Sequence, residues 1–141
     1  MFGALIKQAT DQLIDSIDQV LDREESSLDQ LRGIFWAHFE LFEDSRLLVE
    51  ILVNEGLDQL GERREVVVQR WEQYNDRVAQ AFSQGIEQGI FRDEPPLKLA
   101  RLYLGWIWGM LRSVVIFDEN DPREQYGQPM LDMFLKGLKR D

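Results

Sequence analysis

Apolar residues recur along most of this chain at steps of three and four, the spacing of one face of an α-helix. Phe2, Ile6, Ala9, Leu13, Ile17 and Val20 form one such stripe, widened by Leu5, Ile14 and Leu21. Asp11, Asp15, Asp18 and Asp22 fall on the opposite face. They lie along a rod and do not converge on a point, which predicts a solvated face, not a metal site. The pattern breaks at Glu24 to Ser27. Ser27 followed by Gln30 matches a capping box and predicts a second helix from Leu28, carrying Leu31, Ile34, Phe35, Phe39 and Phe42. A short third helix is expected from about Ser45 to Leu57. The longest helix spans roughly Glu62 to Gln88, with Val67, Trp71, Tyr74, Val78, Ala81, Phe82 and Gly85 on its buried stripe. Gly89 followed by Ile90 fits a Schellman end, and Pro95-Pro96 keeps Phe91 to Pro96 in a loop.

The helix expected from about Pro96 to Phe117 is apolar nearly all round. One face holds Leu99, Tyr103, Trp106, Ile107, Met110 and Val114, a second Leu104, Trp108, Leu111 and Val115, a third Gly105, Gly109 and Ile116. A helix without a polar face must be buried on more than one side, and in so small a domain the second cover is most simply another chain. Asp121-Pro122 with Glu124 then reads as an N-cap, a proline at N1 and a capping glutamate. Because Gly127 and Pro129 follow, the last helix either begins at Pro122 and kinks or has its body begin near Pro129. Met130, Leu131, Phe134, Leu135 and Leu138 form its stripe in both cases. The expected fold is all-α, a six-helix orthogonal bundle without repeats or linkers, residues 1–141 forming one domain.

Composition narrows the function. The chain has 141 residues and a net charge of −10; residues 1–61 hold 4 basic and 13 acidic side chains, residues 62–141 hold 12 and 13. So acidic a chain is not expected to bind nucleic acid itself. With no cysteine and one histidine, thiolate, iron–sulfur and multi-histidine sites are excluded, and no metal or cofactor is expected. Lys7 interrupts the opening apolar residues, against a signal peptide. The longest apolar run, Leu102 to Leu111, falls short of the roughly 20 residues a bilayer requires, so a soluble, cytoplasmic protein with no membrane partner is expected. No catalytic constellation is present: His38 has Phe35, not glutamate, three residues earlier, and every acidic run lies on a polar face. An enzyme is not expected.

The residues that remain for chemistry are aromatic. His38 has Ile34, Phe35, Leu41 and Phe42 as helical neighbours; it is either a core histidine bonded to a carbonyl or a polar contact in an apolar cavity. Phe35, Trp36, Phe39, Phe42, Trp71, Tyr74, Tyr103, Trp106 and Trp108 are either core or the wall of a cavity with polar tips. Gly105 and Gly109 each cost about 1 kcal/mol relative to alanine in a helix. They are drift, space for a ligand, or a close approach by a second helix, the last favoured by the apolarity around them.

The run Ala81-Phe82-Ser83-Gln84-Gly85-Ile86-Glu87-Gln88-Gly89-Ile90-Phe91-Arg92-Asp93-Glu94-Pro95 resembles the C-terminal domain of TetR/AcrR-type transcriptional regulators. So do Ala100 with the Gly-containing apolar helix Leu104 to Leu111, the closing Phe134-Leu135-Lys136-Gly137-Leu138, and the opening Phe2-Gly3-Ala4-Leu5. The resemblance implies an effector-binding and dimerisation domain, its last two helices pairing with those of a second subunit in a four-helix bundle. The family's N-terminal helix-turn-helix unit has no counterpart in this sequence, so DNA contact would come only through that missing part, and no DNA-contacting residue carries over. The candidate ligand residues are Phe35, His38, Phe39, Phe42, Trp71, Tyr74, Tyr103, Trp106, Ile107 and Met110, facing a small hydrophobic or aromatic molecule. The candidate homodimer interface is Leu104, Gly105, Trp108, Gly109, Leu111, Val115, Met130, Phe134 and Leu138. The alternative is a stand-alone helical module that heterodimerises with a full-length regulator and modulates it. Met1 is either a natural start or a cut boundary.

Overall fold

The computed structural model describes residues 2–47, 49–50 and 64–140. Among them the fold is all-α: α1 Phe2–Arg23, α2 Ser27–Asp44, α3 Arg64–Glu87, α4 Pro96–Phe117 and α5 Gln128–Leu138, with a π-helical turn Arg123–Gly127 running directly into α5. The short helix expected from Ser45 to Leu57 lies largely outside the described residues, as do Glu62 and Arg63 at the expected start of α3. The last helix therefore begins near Pro122 and passes through a π turn. Gly127 makes that possible by lying against α2, where a Cβ would sit 3.0 Å from Phe39 and 3.2 Å from Trp36.

The helix ends follow local chemistry, with two departures from expectation. The cap of α2 is Ser26, one residue earlier than expected; its hydroxyl accepts from the Asp29 N–H at 3.0 Å. The Gln30 amide donates instead to the Glu24 carbonyl, 3.0 Å, tying α2 to the end of α1. Asp121 does not cap with its side chain; its carbonyl accepts from the Gln125 N–H at 3.2 Å. The end of α3 is the expected Schellman turn: Gly89 has φ +75°, Ile90 N–H bonds the Gly85 carbonyl at 2.9 Å, and Gly89 N–H bonds that of Ile86 at 3.0 Å.

α3 packs against α1, α2 and α4. Ile17, Leu31, Ile34, Phe35, Phe39, Val78, Phe82, Tyr103, Ile107, Leu111 and Leu131 are all essentially inaccessible, each large side chain contributing about 1.5–3 kcal/mol by leaving water. By length and composition α4 is long and apolar enough to cross a bilayer, so the argument from the run Leu102 to Leu111 understates the helix. Its Leu99, Tyr103, Ile107, Leu111 and Val114 are nonetheless packed into this core.

The aspartates of α1 are not simply solvated. Asp11 pairs with Arg70, and Asp18 with Arg77 at 2.9 Å. One step further on, the Gln84 amide donates to the Glu25 carbonyl at 2.9 Å. All three contacts join residues 59 apart in sequence and recur every seven residues, so α1 and α3 lie parallel with their side chains in step. Each exposed ion pair adds at most about 1 kcal/mol; their larger effect is to set the register.

The loop after α3 is clipped to the C-terminus by a single antiparallel bridge, Phe91 with Lys139. Arg92 N–H bonds the Leu138 carbonyl and Arg140 N–H that of Ile90, both at 2.9 Å. Phe91 turns under α3 and lies against Gly85, where a Cβ would come within 2.1 Å of its buried ring. Gly85→Ala should therefore destabilise the protein by about 2 kcal/mol in urea unfolding, through overpacking, and Phe91→Leu in the same chain should restore part of it. An unchanged midpoint for Gly85→Ala would contradict this packing.

Candidate functional site

Three helices that pack side by side leave a groove of about 540 Å³ between them. Ala9, Thr10 and Leu13 line it from α1, Trp71, Tyr74 and Asn75 from α3, and Arg101, Leu104, Gly105, Trp108, Gly109 and Arg112 from α4. The α4 set is one helical face, at steps of three and four from 101 to 112. The two glycines open it: among the described residues a Cβ on either would meet nothing within 4 Å. The walls are apolar and aromatic, Leu13, Leu104, Trp71 and Trp108, with Trp71 at the rim, 40% exposed.

Behind the wall runs a chain of polar contacts. The Trp108 indole N–H donates to the Tyr74 hydroxyl at 3.3 Å, and that hydroxyl contacts His38 Nε2. His38 Nδ1 lies 2.7 Å from the Ile34 carbonyl. A carbonyl only accepts, so Nδ1 carries the proton, Nε2 accepts, and Tyr74 is the donor to it. Every polar atom of this buried set thus has a partner. Burial holds His38 down to about 4 from its usual 6.5, against a smaller upward pull from the Ile34 carbonyl. Burial pushes Tyr74 well above the usual tyrosine range, with the Trp108 hydrogen bond opposing it. Both are neutral, so the set supplies hydrogen bonds and shape but no acid–base chemistry near neutral pH.

Of the expected ligand residues, Trp71 and Tyr74 line the groove and His38 stands directly behind Tyr74. Phe35, Phe39, Phe42, Tyr103, Ile107 and Met110 are packed in the core. Trp106 faces away, against Phe134 with ring centroids 5.3 Å apart. Beside it, Leu102, Met133, Phe134 and Gly137 help line a second, smaller groove of about 330 Å³ between α4 and α5. Of the expected interface residues, Leu104, Gly105, Trp108 and Gly109 line the main groove. Leu111 and Leu138 are buried in the chain's own core, and Val115, Met130 and Phe134 are half-buried against it. Trp108 thus lines the main groove and Trp106 the outer one: two residues apart, they point about 160° apart around the helix, and an all-round apolar helix does not mark which side is inward. The sequence reading missed Ala9, Thr10, Leu13, Asn75, Arg101 and Arg112. The signal for the arginines was present, since both share the helical face of Gly105 and Gly109.

A sequence profile described as "Tetracyclin repressor-like, C-terminal domain" matches residues 24–116. The chain belongs to the tetracyclin repressor-like C-terminal domain family. No curated protein matches it by sequence. Among solved structures, this tetracyclin repressor-like domain is similar to the ketosteroid transcriptional regulator KstR2 of Mycobacterium tuberculosis, with a TM-score of 0.80 at 24% identity, over 100% of this chain and 72% of that one. It is similar also to AibR in a complex with isovaleryl coenzyme A and operator DNA, TM-score 0.73 at 22% identity, over 94% and 71% of the two chains. A protein of unknown function from Rhodococcus sp. RHA1 gives 0.77 at 13% identity, over 99% and 72%. At these identities the likeness is one of fold.

In this tetracyclin repressor-like domain the buried histidine carries a pH signature. The unfolded chain takes up the proton near 6.5 and the folded chain only near 4, so the stability His38 confers is full above about pH 6.5 and falls as pH drops towards 4. Across that window the unmodified protein should lose about 3 kcal/mol more than His38→Gln, read by urea unfolding at stepped pH. Parallel stability curves for the two proteins would show that His38 is not held neutral.

Proposed function

We propose that residues 1–141 form the effector-sensing and dimerisation domain of a TetR-like, ligand-responsive transcriptional regulator, and that a small, mainly apolar molecule binds in the groove between α1, α3 and α4. The observation that carries this reading is the glycine-opened face of α4 opposite Tyr74 and Trp71. A helix pays for glycine at 105 and 109 with about 1 kcal/mol each, yet among the described residues no neighbouring atom needs the space. Apolar walls with a few fixed polar groups are what small-molecule sites are built from. The solved neighbours add support of a general kind: one is described as a ketosteroid transcriptional regulator and another is in complex with isovaleryl coenzyme A and operator DNA. In this reading the chain acts by sensing and makes no contact with DNA itself, consistent with its charge of −10.

We place the dimer contact on the outer side of α4 and α5. Leu102 and Phe117 of α4 and Met133 of α5 are exposed by 56%, 70% and 66%, beside half-exposed Trp106. An isologous pairing of this face covers it in the commonest oligomer symmetry and takes these exposed apolar side chains out of water.

A thermal-shift series over small apolar and aromatic compounds tests the sensing role. Compounds that bind should raise the melting temperature by on the order of 10 °C at a hundredfold excess over Kd. Gly109→Leu, which fills the groove without touching the core, should abolish the shift while leaving the unliganded protein folded. A diverse panel with no shift in the unmodified chain would refute the groove as a binding site.

The dimer is tested separately, by sedimentation at micromolar concentration. The unmodified chain should sediment as a dimer, and Leu102→Glu with Met133→Glu as a folded monomer, because both side chains are exposed in one protomer. A folded monomer of the unmodified chain would contradict the pairing.

A further inference from the structure

Two arginines bracket the groove. Arg101 and Arg112 line it from the same face of α4, eleven residues and so roughly 16 Å apart along the helix. Among the described residues they are the only charged side chains lining the groove, with no aspartate or glutamate beside them. The chain as a whole has 26 acidic and 16 basic residues, so this wall is positive against a strongly negative background. Six arginines elsewhere are paired with carboxylates: Arg23 with Glu24, Arg32 with Asp29, Arg46 with Glu50 and Asp118, Arg70 with Asp11, Arg77 with Asp18 and Arg123 with Glu43; Arg64, Arg92 and Arg140, away from the groove, have no ion pair among the described residues. Among the described residues Arg101 and Arg112 have no such partner.

We propose that the ligand is an amphiphilic anion. Its acyl or ring body lies against Leu13, Leu104 and Trp108 and the bare backbone at Gly105 and Gly109. Its carboxylate or phosphate oxygens are held by the guanidinium at one end of the groove. The guanidinium fork matches either group. An apolar ligand without charge would leave both arginines idle, and a purely polar anion would leave the aromatic wall in water. The proposal rests on the groove being the effector site and specifies what enters it. It also orients the ligand along α4, because the cations stand at the ends of the groove and not across it.

Decanoate, decyl phosphate and neutral decanol are matched probes, with calorimetry on the full chain as the readout. At least one anion should bind about tenfold or more tightly than decanol, the usual size of a charge-assisted hydrogen bond, and the preference should shrink with salt. Arg101→Gln with Arg112→Gln should erase it, and the two Lys replacements should keep part of it. Arg32→Gln, on the surface of α2, should leave it intact. The tighter of the two anions assigns the source of the charge, a free acid or a phosphate ester. If decanol binds as well as both anions, or the double Gln variant keeps the preference, the anion proposal falls while the groove remains a binding site. If none of the three binds, both fall.

Discussion

A helix apolar on most of its circumference has to be covered on more than one side, and α4 is that helix. One side supplies Tyr103, Ile107 and Leu111 to the core. A second carries Leu102, Trp106 and Phe117 outward beside Met133 of α5. The third is cut back to backbone at Gly105 and Gly109 and forms one wall of the groove. The core side is satisfied by α2 and α3; we propose that a ligand covers the groove side and a second subunit the outer one. Because one rigid element serves both the groove and the outer face, a molecule seated against Gly105 and Trp108 bears directly on the helix that we place in the dimer contact.

The polar content of the interior is arranged around the same helix. Trp108, Tyr74 and His38 join α4, α3 and α2 through one hydrogen-bonded series that ends on the Ile34 carbonyl. A buried donor left without a partner costs about 1–3 kcal/mol, so these three helices are held in one mutual position. Tyr103 makes a second such tie, donating to the Leu31 carbonyl at 2.8 Å. On the outside, the seven-residue recurrence of contacts between α1 and α3 keeps the far wall of the groove in register.

Much of the fold was legible because periodicity reports burial directly. The stripe Ala9, Leu13, Ile17 and Val20 and the stripe Tyr74, Val78, Ala81 and Phe82 are buried as their spacing predicts, and Gly89 ends α3 as its position before Ile90 implies. The candidate site was legible only in part. Trp71, Tyr74 and His38 stand at or directly behind the groove, but spacing alone does not separate the aromatic that lines a cavity from one that fills the core, so Phe35, Phe39 and Tyr103 were grouped with them. On α4 the apolar signal has no contrast, so spacing does not tell that Trp108 lines the main groove and Trp106 the outer one. The better clue was the opposite of hydrophobicity: glycines and arginines sharing one face of an otherwise apolar helix.

The central claim is that the glycine face of α4 is where a small molecule sits. A crystal structure of the chain soaked with a probe that raises its melting temperature tests it most directly. The account predicts ligand density between Tyr74, Trp108 and the backbone of Gly105 and Gly109. Density instead in the outer groove beside Trp106 and Met133, with the glycine face empty, would contradict it.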